Sequence, residues 1–160
     1  MKLSEKFWFA GELDSTIAYW KTHYPDSCAH VLEQANNICR NTFLFREHWE
    51  MERTNKSVVF PEKIIWNHIP EGDPEWLYAL NRHTCFLILG KAWQLTGHEK
   101  YAEKFTELLC DWIECAPLTQ ESRNDTWRSL EEYPDRKLAK ILYSFFRQPS
   151  LDGRITGKSG

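Results

Sequence analysis

Asn81, Arg82 and His83 stand in a row inside a stretch, Asp73 to Gly97, that is otherwise dominated by Trp, Leu, Ile and Phe, with Tyr78 four residues ahead of the arginine. Polar groups set among such neighbours must either find partners or line a wet cleft. A guanidinium there would grip a carboxylate or sulfate through two parallel bonds, and a tyrosine on the same helix face could pass a proton if Arg82 lowered its pKa. The plainer reading is that all four bond neighbouring helix ends and pack. Trp127, Arg128 and Glu131 form a second group. At helical spacing Trp127 and Glu131 share a face while Arg128 lies about 100° away. They fit either a stacking indole beside an ion pair or a helix anchor bridged to Arg82. Trp66, next to Asn67 and His68, is a third flat ring, which either stacks on a ligand or is buried.

The elements that must carry these groups are helical. Asp73 can cap a helix, Pro74 fits its first position and Gly97 can close it in the left-handed conformation. Trp76, Leu77, Leu80, Phe86, Leu87, Ile88, Leu89 and Trp93 surround the helical circumference, so the spacing predicts one continuous, mostly buried helix over 73–97. After the short Thr96-Gly97-His98 turn, Tyr101, Ala102, Phe105, Leu108, Leu109, Trp112 and Ile113 recur at three and four residues up to Pro117. Glu99, Lys100, Glu103, Lys104, Glu107 and Asp111 make a solvated opposite face. An outer helix packed on one side is expected, paired with the buried one as an antiparallel hairpin.

Upstream, residues 1–26 suggest one or two short helices, and Cys28, Val31, Leu32, Ala35, Ile38 and Cys39 mark an amphipathic helix over about 27–40, capped by Asp26 or Ser27. Residues 41–70, with Phe43 and Phe45 in alternation and Val58-Val59-Phe60 before Pro61, read as extended chain or short strands crossing a helical body. Downstream, Asp125 or Thr126 can cap a helix through Trp127, Leu130 and Tyr133 that Pro134 interrupts. Leu138, Ile141, Leu142, Phe145 and Phe146 then rebuild an apolar face. Three of the seven glycines fall in the last eight residues, so 150–160 reads as a disordered or appended tail and 1–149 as the domain.

The totals exclude several classes. A chain of 160 residues can build a core without staples. With 20 basic and 23 acidic residues and no basic run, nucleic acid is excluded as a partner. Five cysteines without a Cys-x-x-Cys pair signal neither a disulfide framework nor zinc, and no other cofactor is indicated. No apolar run reaches the ~20 residues of a membrane span. The start lacks the pattern of a secretory signal, so the protein is expected to be cytoplasmic or to have lost its leader.

Glu75-Trp76-Leu77-Tyr78-Ala79-Leu80-Asn81-Arg82-His83, Leu95-Thr96-Gly97-His98-Glu99-Lys100-Tyr101-Ala102, Asp111-Trp112-Ile113 with Pro117, and Trp127-Arg128-Ser129-Leu130-Glu131 together resemble the N-terminal domain of the heparinase II/III polysaccharide lyases, relatives of alginate lyases. The resemblance covers about 43–132. It implies an all-α fold whose antiparallel helical hairpins form part of an incomplete (α/α) toroid, with a short extended segment around 43–66. It also implies β-elimination on a uronic-acid-containing polysaccharide such as heparan sulfate or alginate, and a periplasmic or secreted location. The family's Asn-His pair, Tyr and later His that move protons are expected downstream. Asn67-His68 precedes the matched helix and is not that pair. The family continues after its Trp-Arg-x-Leu-Glu with a Gly and an Arg four residues past the Glu, whereas Pro134 intervenes here and Arg136 falls five residues past Glu131, so Arg136 is not carried over.

The expected function is therefore one wall of an anionic-polysaccharide cleft, made of Asn81, Arg82, His83, Trp127, Arg128, Glu131, Trp66 and Tyr78, in a lyase fragment that lacks the catalytic groups and is inactive alone. The alternative is a non-catalytic helical module that binds glycan or protein, as a homo-oligomer joined through the exposed flanks of its inner helices. A toroidal glycoside hydrolase would need two acids about 5 to 10 Å apart. Only the adjacent Glu131 and Glu132 offer themselves, and they point away from each other.

Overall fold

Helices α1 (Leu13–His23), α2 (Pro25–Cys39), α3 (Pro74–Asn81), α4 (Thr84–Thr96) and α5 (Glu99–Cys115) make up most of a computed structural model that describes residues 13–46, 54–116, 119 and 126. The described chain is all-α apart from a two-residue antiparallel pair, β1 (Thr42–Phe43) and β2 (Val58–Val59), in which Thr42 faces Val59 and Phe43 faces Val58. Trp127, Arg128 and Glu131, the helical segments expected around them and the 150–160 tail lie outside the described residues.

Helix α4 is the centre of the packing. It lies against α2 and α5 and also touches α1 and α3. Val31, Ala35 and Ile38 of α2, Phe86, Leu89 and Ala92 of α4, and Tyr101, Phe105 and Leu108 of α5 share one apolar cluster. Within it the Phe86 and Phe105 rings sit 4.7 Å apart. Helix α1 buries no residue and only leans Ile17 and Trp20 onto this core.

The end signals act as read for the middle of the chain. The Asp73 carboxylate accepts the Glu75 N–H at 3.1 Å, Pro74 occupies the first turn, and Gly97 closes α4 at φ 68° with its N–H on the Trp93 carbonyl at 2.7 Å. Helix α2 differs. It starts at Pro25 with Tyr24 at its cap and no side-chain cap bond, so neither Asp26 nor Ser27 caps it. Its far end is closed by Asn41 in the left-handed conformation (φ 55°), an ordinary role for asparagine.

The continuous helix expected over 73–97 is two helices. After Asn81 the chain turns at Arg82 and passes through a left-handed His83 (φ 58°, ψ 27°) before α4 begins. Histidine is among the few side chains enriched in that conformation. Leu87, on α4, is 45% exposed where burial all round was expected.

The crossing segment is fastened to α3 and α5 rather than hanging loose. Phe45 meets Trp76 edge-on at 5.3 Å, and the Trp76 indole donates to the Lys56 carbonyl at 3.0 Å. On α5 two positions depart from the amphipathic reading. Ile113 is 60% exposed, and Lys104, expected on the solvated face, is buried. Its ammonium donates to Oδ1 of Asn41 at 2.6 Å and to Glu107 at 2.7 Å, while Nδ2 of Asn41 donates to the Glu62 carbonyl at 3.1 Å. A buried lysine persists only when so paired.

Candidate functional site

The break between α3 and α4 gathers the polar groups that the sequence singles out. Asn81 is fully buried at the end of α3. Its Nδ2 donates to the carbonyls of Trp66 and Leu77, both at 2.9 Å, and its Oδ1 accepts the indole N–H of Trp112 at 3.0 Å. One amide thus ties the crossing segment, α3 and α5 together. Trp66 is itself buried, with its indole N–H on Oδ2 of Asp111 at 2.7 Å. Neither side chain presents itself to a ligand, and the packing readings of both fit this geometry.

His83 is also buried, 5% exposed, in a box of aromatic rings. It stacks on Phe86 at 5.0 Å, and meets Trp112 edge-on at 4.6 Å and Trp66 at 6.2 Å. Both ring nitrogens lack a hydrogen-bond partner. Burial pushes its pKa down to about 3, so the ring is neutral wherever the fold persists near neutral pH.

Arg82 and Tyr78 are different, being only half-buried. One guanidinium nitrogen of Arg82, Nη1, is buried without a hydrogen-bond partner, and no described carboxylate forms an ion pair with the group. Of the five sequence-predicted residues that the structure describes, Arg82 alone combines a buried, unsatisfied donor with a route to the surface. A cation of this kind can accept an anionic oxygen from outside the packed helices.

Sequence reasoning missed Trp112 and Asp111 as partners of this group. The spacing puts Trp112 on an apolar face and Asp111 on a solvated one, yet a buried indole N–H needs an acceptor. No group of three or more His, Cys, Asp or Glu among the described residues is arranged to hold a metal. Two concavities of about 320 and 460 Å3 open on the described surface, and none of Trp66, Tyr78, Asn81, Arg82 and His83 lines either. None of the described helices is long and apolar enough to cross a membrane.

Comparison with known proteins adds an independent line. Residues 18–153 match the family described as Heparinase II/III N-terminus. A heparin-sulfate lyase of Bacteroides stercoris is 30% identical over 93 residues, 58% of this chain and 13% of that protein. A heparin-sulfate lyase of Bacteroides thetaiotaomicron is 33% identical over 70 residues, 42% of this chain and 10% of that protein. The aligned part is thus about a tenth of either relative. No solved structure matches the chain significantly.

Proposed function

Because the chain belongs to the heparinase II/III family, whose N-terminal region it matches over residues 18–153, we propose that it builds one wall of the substrate cleft of a polysaccharide lyase. The substrate is a uronic-acid-containing polymer of the heparan sulfate kind, met in the periplasm or outside the cell. The helices are the opening part of an (α/α) toroid.

Three tasks are required to cleave such a polymer by β-elimination. The uronate carboxylate must be neutralised so that the C5 proton becomes acidic, a base must take that proton, and an acid must protonate the departing glycosidic oxygen. The wall described here supplies binding and charge. Arg82 takes a carboxylate or sulfate of the polymer, and Tyr78, one helical turn before it, flanks the same surface. Asn81 and His83 hold the α3–α4 break that carries Arg82, and Trp66 braces it from the crossing segment. Trp127, Arg128 and Glu131 complete the wall in this reading. The proton-moving groups belong to other parts of the enzyme.

The observation that carries the reading is the Arg82 guanidinium, half-buried with an unpartnered Nη1. Leaving a buried donor unmade costs about 1–3 kcal/mol, a cost that an incoming anion would remove. The test has two arms. Heparan sulfate or alginate incubated with the 160-residue chain is expected to yield no ultraviolet absorbance from unsaturated uronate, and clear turnover would place the catalytic groups inside this chain. Binding of a heparan sulfate oligosaccharide is expected to weaken about tenfold in Arg82→Ala, or 1.4 kcal/mol. Equal affinities in the two proteins would end the assignment of Arg82.

A further inference from the structure

One surface concavity, about 320 Å3, lies between the polar face of α2, the arms of the β1–β2 hairpin and the start of α4. Its floor is apolar, formed by the buried Ile38 and Phe43 with the half-buried Ile88. Its walls are polar. Glu33, Gln34 and Asn37 come from α2, at i, i+1 and i+4, and Arg46 enters from the irregular chain just after β1. Arg40 donates from Nη2 to Oδ1 of Asn37 at 2.7 Å, which fixes that amide and leaves its NH2 as a donor. Arg46 is exposed and forms no ion pair with any described residue.

A greasy floor under a ring of amide, carboxylate and guanidinium groups has a definite chemical complement. A pyranose offers an apolar C–H face and a rim of hydroxyls, each of which both donates and accepts, matching amides and carboxylates better than it matches cations alone. The volume stands at the lower end of ligand pockets, suited to one ring rather than to an extended chain. One arginine set against one glutamate leaves the groove close to neutral. That disfavours a polyphosphate and fits a sugar bearing a single acidic substituent on the Arg46 side.

We propose that the α2–hairpin groove, with Arg46 facing Glu33, Gln34 and Asn37 across an Ile38–Phe43 floor, is a second sugar subsite that takes one uronate-containing unit of an acidic polysaccharide. It shares no lining residue with the Arg82 surface. It rests on the polysaccharide reading for its ligand class but not on Arg82.

A 15N-labelled chain titrated with a heparan sulfate disaccharide tests it. The amide signals of Gln34, Asn37 and Thr84 are expected to shift and saturate, and Arg46→Ala is expected to weaken that response at least fivefold while melting at the wild-type temperature. Arg82→Ala should leave it unchanged. Shifts confined to the surroundings of Tyr78 and Arg82 would end the subsite and leave the cleft reading standing. A groove response with no response around Arg82 would uphold the subsite and count against the cleft. Saturation unaltered in Arg46→Ala would also overturn the proposal.

Discussion

The indole N–H of Trp112 donates to Oδ1 of Asn81 at 3.0 Å, so the last helix of the described core is joined to the end of α3 through a fully buried amide. Because the same amide also donates to Trp66 and Leu77 carbonyls, removing it strands a buried indole N–H and a loop carbonyl together. Asn81→Ala is expected to cost about 2–4 kcal/mol in urea unfolding. Asn81→Asp should be at least as harmful near neutral pH, since an acceptor-only carboxylate would face two carbonyls, and should recover in part as acid protonates it. A loss under about 1 kcal/mol for Asn81→Ala would show that the three bonds carry little net weight.

His83 gives the fold a specific acid sensitivity. Its pKa is held down to about 3 by burial, against an ordinary value of 6.5, so the unfolded chain binds a proton that the folded one refuses. Stability from this group is fully present above pH 6.5 and is lost progressively as pH falls toward 3. Between pH 7 and pH 5 the loss is about 2 kcal/mol. His83→Asn keeps a residue that tolerates left-handed backbone and removes the titration, so its unfolding free energy should fall less steeply over this interval. Parallel curves for the two proteins would show that His83 is not the proton acceptor.

Much of this was legible in the residues, and the exceptions have a common cause. Asp73, Pro74 and Gly97 mark helix ends through local backbone chemistry, and the spacing on α5 placed Tyr101, Phe105, Leu108 and Trp112 inside because one face of a helix is a local property. The all-α class and the short extended crossing followed in the same way. The break at Arg82–His83 did not, because an apolar pattern running through it looks continuous until the aromatic box around His83 is assembled from Trp66, Phe86 and Trp112. Lys104 failed for a related reason. Its partners Asn41 and Glu107 are brought to it by tertiary packing, and no spacing on α5 announces a buried ammonium. Asn81 and Arg82 are adjacent in sequence, yet one is an internal crosslink and the other reaches the surface. Type and position alone do not separate them.

Gly97 isolates a backbone effect from packing. It adopts φ 68°, and a Cβ built on it would meet nothing within 4 Å. The cost of Gly97→Ala is therefore conformational alone, about 1 kcal/mol, or a drop of about 2–4 °C in melting temperature. Gly97→Asn should cost less, because asparagine enters the left-handed region more readily. Equal losses for the two substitutions would show that the left-handed backbone at Gly97 does not set the cost.

Arg82 separates a structural cation from one kept for a ligand. A structural arginine satisfies its donors inside the fold, and its removal strands the partners, typically at several kcal/mol when buried. Arg82 has a buried Nη1 with nothing to bond, so Arg82→Met, which keeps an unbranched apolar stem, removes an unsatisfied donor without orphaning an acceptor. Its melting temperature is expected to equal or exceed that of the wild type by a few degrees, while binding of a heparan sulfate oligosaccharide weakens about tenfold. Arg82→Lys should preserve the charge but lose the bidentate grip, falling between the two in affinity. A fall in stability matching the fall in binding across Arg82→Met and Arg82→Lys would mean that the guanidinium serves the fold, and the wall would then have to find its anion-binding group elsewhere.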